Sequence, residues 1–179
     1  MRIARLLATT VAVALTLGVV AESADARPRP KRAKRFVANK TFGLGLMIGA
    51  PTGLSGKYFY SRDKAFDFGV GAFRYYRGRD GLQIHVDHLW HPVTLASTED
   101  FELPLYVGIG GRVFDFDDDN DRDGLAFGLR APIGLAIDLN RTPLDIFFEL
   151  ALIADVFVDY DDRYGVDVNG ALGLRYYLD

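Results

Sequence analysis

Cysteine is absent from the 179 residues, which excludes a disulfide scaffold, a cysteine-based zinc site, an iron–sulfur cluster and a thiol nucleophile. Histidine is scarce, at three residues. Beyond residue 26 the only serines are Ser55, Ser61 and Ser97, poor material for nucleophilic catalysis. A large excess of charge of one sign is also missing. The 21 Lys+Arg against 24 Asp+Glu leave a net −3, which argues against whole-surface binding to nucleic acid. The longest apolar run, LLATTVAVALTLGVVA, has 16 residues, short of the ~20 that a spanning helix needs. What is present is 49% apolar residue content with 13 Phe, 9 Tyr and 19 Gly, in a chain of single-domain length.

The chain is uneven. Residues 1–26 open on basic MRIAR, continue through the apolar run and end on Ala24-Asp25-Ala26. That is the anatomy of a secretory signal peptide cleaved after Ala26. Residues 27–40, RPRPKRAKRFVANK, carry seven positive charges and no acid. A proline-interrupted basic run of this kind is expected to be a disordered tail, able to touch anionic headgroups or an acidic polymer. Residues 41–179 carry 12 positive and 22 negative side chains and form the folded domain.

From Thr41 onward hydrophobicity alternates with a period of two. Phe42, Leu44, Leu46 and Ile48 oppose Gly43, Gly45, Met47 and Gly49. Phe127, Leu129, Ala131, Ile133, Leu135, Ile137 and Leu139 oppose Gly128, Arg130, Pro132, Gly134, Ala136 and Asp138. Similar segments cover roughly 54–61, 65–75, 81–91, 102–114, 144–156 and 166–178. Turn-rich stretches separate them: APTG, SRDK, YRGRDG, PVTLASTED, DFDDDNDRDG, NRTP and DYDDRYG. The pattern predicts an all-β fold of eight antiparallel strands, an up-and-down barrel.

The polar face decides which way is in. It is rich in glycine, interleaved with Lys57, Arg112, Arg130 and Arg175 and with Asp67, Asp87, Asp138, Asp145, Glu149, Asp155 and Asp167. Glycine weakens strands, so a glycine-lined face implies crowding, as in an eight-stranded interior just wide enough for its side chains. Charges in such a space must pair, and arginines do this well. The other face is almost free of charge, with His88 and Arg74 as exceptions. The expectation is therefore a transmembrane barrel with a filled polar lumen and a lipid-facing exterior. Tyr58, Tyr60, Tyr75, Tyr76, Trp90, Tyr106, Tyr160, Tyr164, Tyr176 and Tyr177 supply interfacial girdles. Both termini fall on the periplasmic side. The acidic stretches 115–123 and 159–162 fall on the outer side.

GLGLMIGAPTGLSGKYFYS, LQIHVDHLWH, LPLYVGIGGRV and GLRAPIGLAIDL–RTPLDIFFELA–NGALGLRYY resemble a family of small outer-membrane barrels of the OmpA/OmpX type. The resemblance covers roughly 42–178, and Pro51–Tyr58 is its most specific piece. It implies the eight-stranded fold, the bacterial outer membrane and insertion by the barrel assembly machinery. The family brings no activity with it. His88 stands where an aromatic is usual, and the chain ends Tyr177-Leu178-Asp179 rather than on a terminal aromatic.

Three constellations bear on chemistry. Asp119, Asp121 and Asp123 precede Gly124 at positions 1, 3, 5 and 6 of a calcium loop. Position 12 is Arg130 instead of Glu, so the pattern is half present and points at most to weakly bound Ca²⁺. His85, His88 and His91 do not share a face on a strand, which argues against a three-histidine site. His85 and Asp87 fit the lumen network better. No serine sits in a nucleophile-elbow context. The sequence thus predicts a non-catalytic integral barrel without a cofactor, structural or binding surface partners through acidic outer loops. Its neighbours would be outer-membrane lipid, with no nucleic acid. The alternatives are a soluble exported lipocalin-like barrel around an apolar ligand, a lipid-modifying membrane enzyme and a narrow solute channel.

Overall fold

The computed structural model describes residues 34–75, 79–118, 122–158 and 164–178. Eight strands follow one another: β1 (Phe42–Gly49), β2 (Thr52–Ser61), β3 (Lys64–Tyr75), β4 (Arg79–Ser97), β5 (Phe101–Asp118), β6 (Arg122–Leu139), β7 (Leu144–Val158) and β8 (Tyr164–Tyr177). Each pairs antiparallel with the next, and β8 returns to β1 with Leu174 opposite Leu46. The fold is all-β, one up-and-down sheet closed in a ring. Closure leaves no unpaired edge.

The near end of the barrel, where β1 begins and β8 stops, carries connections 62–63, 98–100 and 140–143. The far end carries the others. One of these, between β1 and β2, turns on Gly49, whose φ is 128°. A Cβ there would meet the Gly170 carbonyl at 2.2 Å, so position and dihedral both require glycine. Thr52 Oγ1 closes the turn, donating to the Gly49 carbonyl and accepting from its N–H, each at 3.0 Å.

The structure departs from the sequence expectation in two strands. PVTLAS is not a loop: β4 runs on to Ser97, with register shifts at Trp90/Val93 and Thr94/Ala96. Pro92 has no N–H to offer the ladder, and a bulge is where a sheet tolerates it. The acidic stretch 115–123 also contributes strand at both its ends. Residues 115–118 end β5 and 122–123 begin β6, with Asp117 opposite Asp123.

Side-chain alternation sets the two faces. Leucine, isoleucine, valine and phenylalanine point outward from all eight strands, Leu129 being 68% and Leu46 64% exposed. Inward, large side chains face glycines on the neighbouring strand: Tyr106 opposite Gly134, Arg112 opposite Gly128, Phe147 opposite Gly173 and His85 opposite Gly69. A Cβ at Gly173 would lie 2.3 Å from the Phe147 ring and 2.7 Å from the Leu46 carbonyl oxygen. The Gly173→Val barrel is therefore expected to lose ~1–3 kcal/mol through overpacking, read from its unfolding midpoint. Adding Phe147→Ala should restore only part of the loss, because the backbone contact remains.

Candidate functional site

The polar interior is the chemically dense region of the molecule, and alternate residues of every strand build it. Toward the far end Arg112 grips Asp155 through two parallel bonds, Nε to Oδ1 at 2.9 Å and Nη2 to Oδ2 at 2.5 Å. Its Nη1 donates to Gln83 Oε1 at 2.8 Å, and Asn169 donates to the same oxygen at 3.3 Å. Midway, Arg130 bridges two strands: Nε reaches both Asp87 oxygens at 3.0 and 3.2 Å, and Nη2 reaches Glu149 at 2.9 Å. Tyr106 donates to the other Glu149 oxygen at 3.2 Å. Such forked, charge-assisted bonds hold geometry as well as charge.

Nearer the chain's entry, Arg175 lies 3.7 Å over the Phe147 ring, donates to Ser55 at 2.8 Å and approaches Asp67 at 2.6 Å. Tyr177 donates to Asp145 at 2.8 Å. Lys57 is 1% exposed, with Nζ 4.9 Å from the Phe59 ring centre and 4.7 Å from that of Tyr106. Aromatic faces, favourable to a cation, surround its ammonium.

Apolar clusters close both ends of this polar column. At the far end Phe73, Phe114, Ala126 and Phe157 pack together, with Phe73 and Phe114 edge to face at 5.0 Å. At the near end the cluster is Phe36, Phe59, Ala65 and Tyr177.

Phe36 belongs to the segment read from sequence as a disordered tail, and here the structure differs from that expectation. Residues 34–40 are seated on the near end. Phe36 is 2% exposed, its ring 5.8 Å from Phe59 and 5.1 Å from His91. The Lys34 carbonyl accepts from Thr94 N–H and the Arg62 carbonyl from Ala38 N–H. Lys34 pairs with Glu102 at 2.6 Å, Arg35 with Asp63 at 2.7 Å, and Lys40 with Asp138. The exposed Arg35 guanidinium, through its hydrogen bond, holds the Asp63 carboxyl below its ordinary range. Basic composition suggested solvation; one phenylalanine and three acids on the rim dock the segment instead. Residues 27–33 lie outside the described residues.

The inward charges read from the alternation all face the lumen. Lys57, Arg112, Arg130, Arg175, Asp67, Asp87, Asp138, Asp145, Glu149 and Asp155 are buried, and Asp167 is partly so, 3.7 Å from Arg112. His85 and His91 point in and are buried, while His88 points out and shares a 2.5 Å hydrogen bond with Tyr60. Of the aromatics expected in girdles, Tyr58, Tyr60, Trp90, Tyr164 and Tyr176 face outward. Tyr106 and Tyr177 do not: both are buried inward, where glycine partners and carboxylates receive them. Gln83 and Ser55 are lumen members the sequence reading passed over. The two-residue spacing from His85 and Lys57 places each on the inner face.

Of the proposed calcium ligands, Asp119 and Asp121 lie outside the described residues. Asp123 is in β6, extended and opposite Asp117. The stretch from Arg122 to Arg130 is strand, and Arg130, at the twelfth position of the pattern, is committed to Asp87 and Glu149. No helix among the described residues is long and apolar enough to cross a membrane, which leaves open a crossing by strands. No protein-family model matches the chain, nor does any curated protein or solved structure.

Proposed function

We propose that this chain is a sealed integral barrel of the bacterial outer membrane, non-catalytic, with a structural role or a surface-binding role through its far-end loops. The observation that carries this reading is the inverted distribution of polarity. Aliphatic and aromatic side chains cover the exterior of the ring, while ion pairs fill its interior. Water outside would leave that apolar belt unexplained. Lipid outside makes it the favourable face, and a closed ladder satisfies every backbone group there. Tyr58, Tyr60, Phe66, Trp90 and Tyr176, exposed toward the near end, suit a headgroup-level girdle on the periplasmic side. The leader-like residues 1–26 support export.

The occupied lumen favours a structural part over a carrier of an apolar ligand or a solute channel. Ser55 is engaged with Arg175, and Ser97 donates to Glu102, which favours it over a hydrolase as well. The test is electrophoresis of protein extracted from the outer-membrane fraction, boiled against unboiled. A faster unboiled band is expected, because a closed barrel survives detergent without heat. Recovery in the soluble periplasmic extract with no such band would overturn the assignment.

A further inference from the structure

The lumen holds one group of donors that the ion-pair network does not fully use. On β3 and β4, Asp67 is the register partner of Asp87, and Gly69 of His85. Positions two apart share a face, so these four residues mark the corners of one inward rectangle. Three corners carry metal-ligating side chains, and the fourth carries only backbone. A Cβ at Gly69 would come within 2.5 Å of His85 Cε1 and 2.4 Å of Met47 Cε. The imidazole thus leans across the empty corner. One donor atom each from Asp67, His85 and Asp87 lie within 4.8 Å of one another.

Two further observations point to a cation. Among the described residues, six carboxylates are buried against four lysines and arginines. At the ends Asp167 and Lys40 add one of each sign, so the described inward side chains carry a formal excess of two carboxylates. Excess charge away from water is costly, and one dication cancels it. Asp67, moreover, is 2% exposed, and its Oδ1 lies 2.6 Å from Arg175 Nη2. Yet that oxygen accepts no directed hydrogen bond. Its hydrogen-bonding capacity stays unused, on a carboxylate that belongs to the cluster.

We propose that the lumen binds a first-row divalent cation, Zn²⁺ being the representative, on Asp67, His85 and Asp87. One imidazole nitrogen and two carboxylates suit such an ion and are too few oxygens for Ca²⁺. Bonds of ~2.0–2.2 Å require the three side chains to close in by about 1 Å. Arg130 on Asp87 and Arg175 on Asp67 become the outer partners that orient the ligands. The bound ion ties β3 to β4 and neutralises the column.

The test uses the chain folded in detergent micelles, loaded with Co²⁺ as a visible substitute for Zn²⁺ and freed of excess by gel filtration. The expected result is one metal per chain with d–d absorption bands. His85→Ala should lower occupancy by at least ~10-fold and abolish the bands, while outward-facing His88→Phe retains both. A folded wild-type barrel that emerges without metal, or bands that persist in His85→Ala, would overturn the site. If His85→Ala does not fold, Cu²⁺-loaded wild type and His91→Phe are compared by electron paramagnetic resonance. Coupling to one nitrogen in both supports the site; its absence, or its loss in His91→Phe, overturns it.

Discussion

Arg130→Ala is expected to destabilise the barrel by ~3–5 kcal/mol, the cost of breaking a buried charge pair by removing one partner. The guanidinium contacts both Asp87 oxygens and one of Glu149, and all three side chains are nearly inaccessible to water. Truncation leaves the buried Asp87 carboxylate without its guanidinium and Glu149 with the Tyr106 hydroxyl in place of a cation. The unfolding midpoint of the detergent-folded barrel measures the effect. A control pair lies at the near end: Arg141 and Asp100, 3.3 Å apart and largely exposed. Arg141→Ala should cost no more than ~1 kcal/mol. Introducing Asp87→Asn and Glu149→Gln into Arg130→Ala should recover part of the loss, since neutral amides tolerate burial better than unpaired charge. Equal midpoints for Arg130→Ala and Arg141→Ala would mean that water reaches the lumen centre.

Most of that network was legible in the chain itself, for one physical reason. A strand alternates its side chains strictly, so a single correct phase assigns every residue of a segment. Arg130, Glu149, Asp155 and Arg175 were all placed inward on that ground, and all are buried there. Glycine on the same phase was the crowding signal, and Gly134 beneath Tyr106 shows its cause: a Cβ there would meet the phenol at 2.3 Å. What alternation does not contain is contact between segments far apart in sequence. Phe36 meets Phe59 and His91 from a stretch whose average composition is that of a solvated tail. Pro92 opens a stretch of turn-like composition, and the bulge that absorbs it sets His91 and Pro92 against the single residue Tyr106 across the sheet. Tyr106 and Tyr177 read as girdle residues by type, although position put them on the inner face. The Asp67–His85–Asp87 grouping needed the register of β3 on β4, which periodicity within one strand does not give.

On the outside of the ring, Leu129→Arg is the decisive substitution. Leu129 lies near the middle of β6, flanked across the sheet by Gly111 and Ala154, with 68% of its surface exposed. If the exterior faces hydrocarbon, an arginine at this depth costs ~2–4 kcal/mol, falling to ~0–1 near the interface. Tyr176→Arg, on the same outer face beside the near end, supplies the shallow comparison. If the exterior faces water, both are surface changes of roughly 0.5 kcal/mol or less. The expected result, from folding into phospholipid vesicles and counting the heat-shifted band, is a large loss for Leu129→Arg and a small one for Tyr176→Arg. Depth dependence is the signature that only a bilayer produces, because no gradient of dielectric runs along the outside of a barrel in water. Similar, small losses at the two positions, with protein soluble in the absence of detergent, would place the apolar belt against something other than lipid.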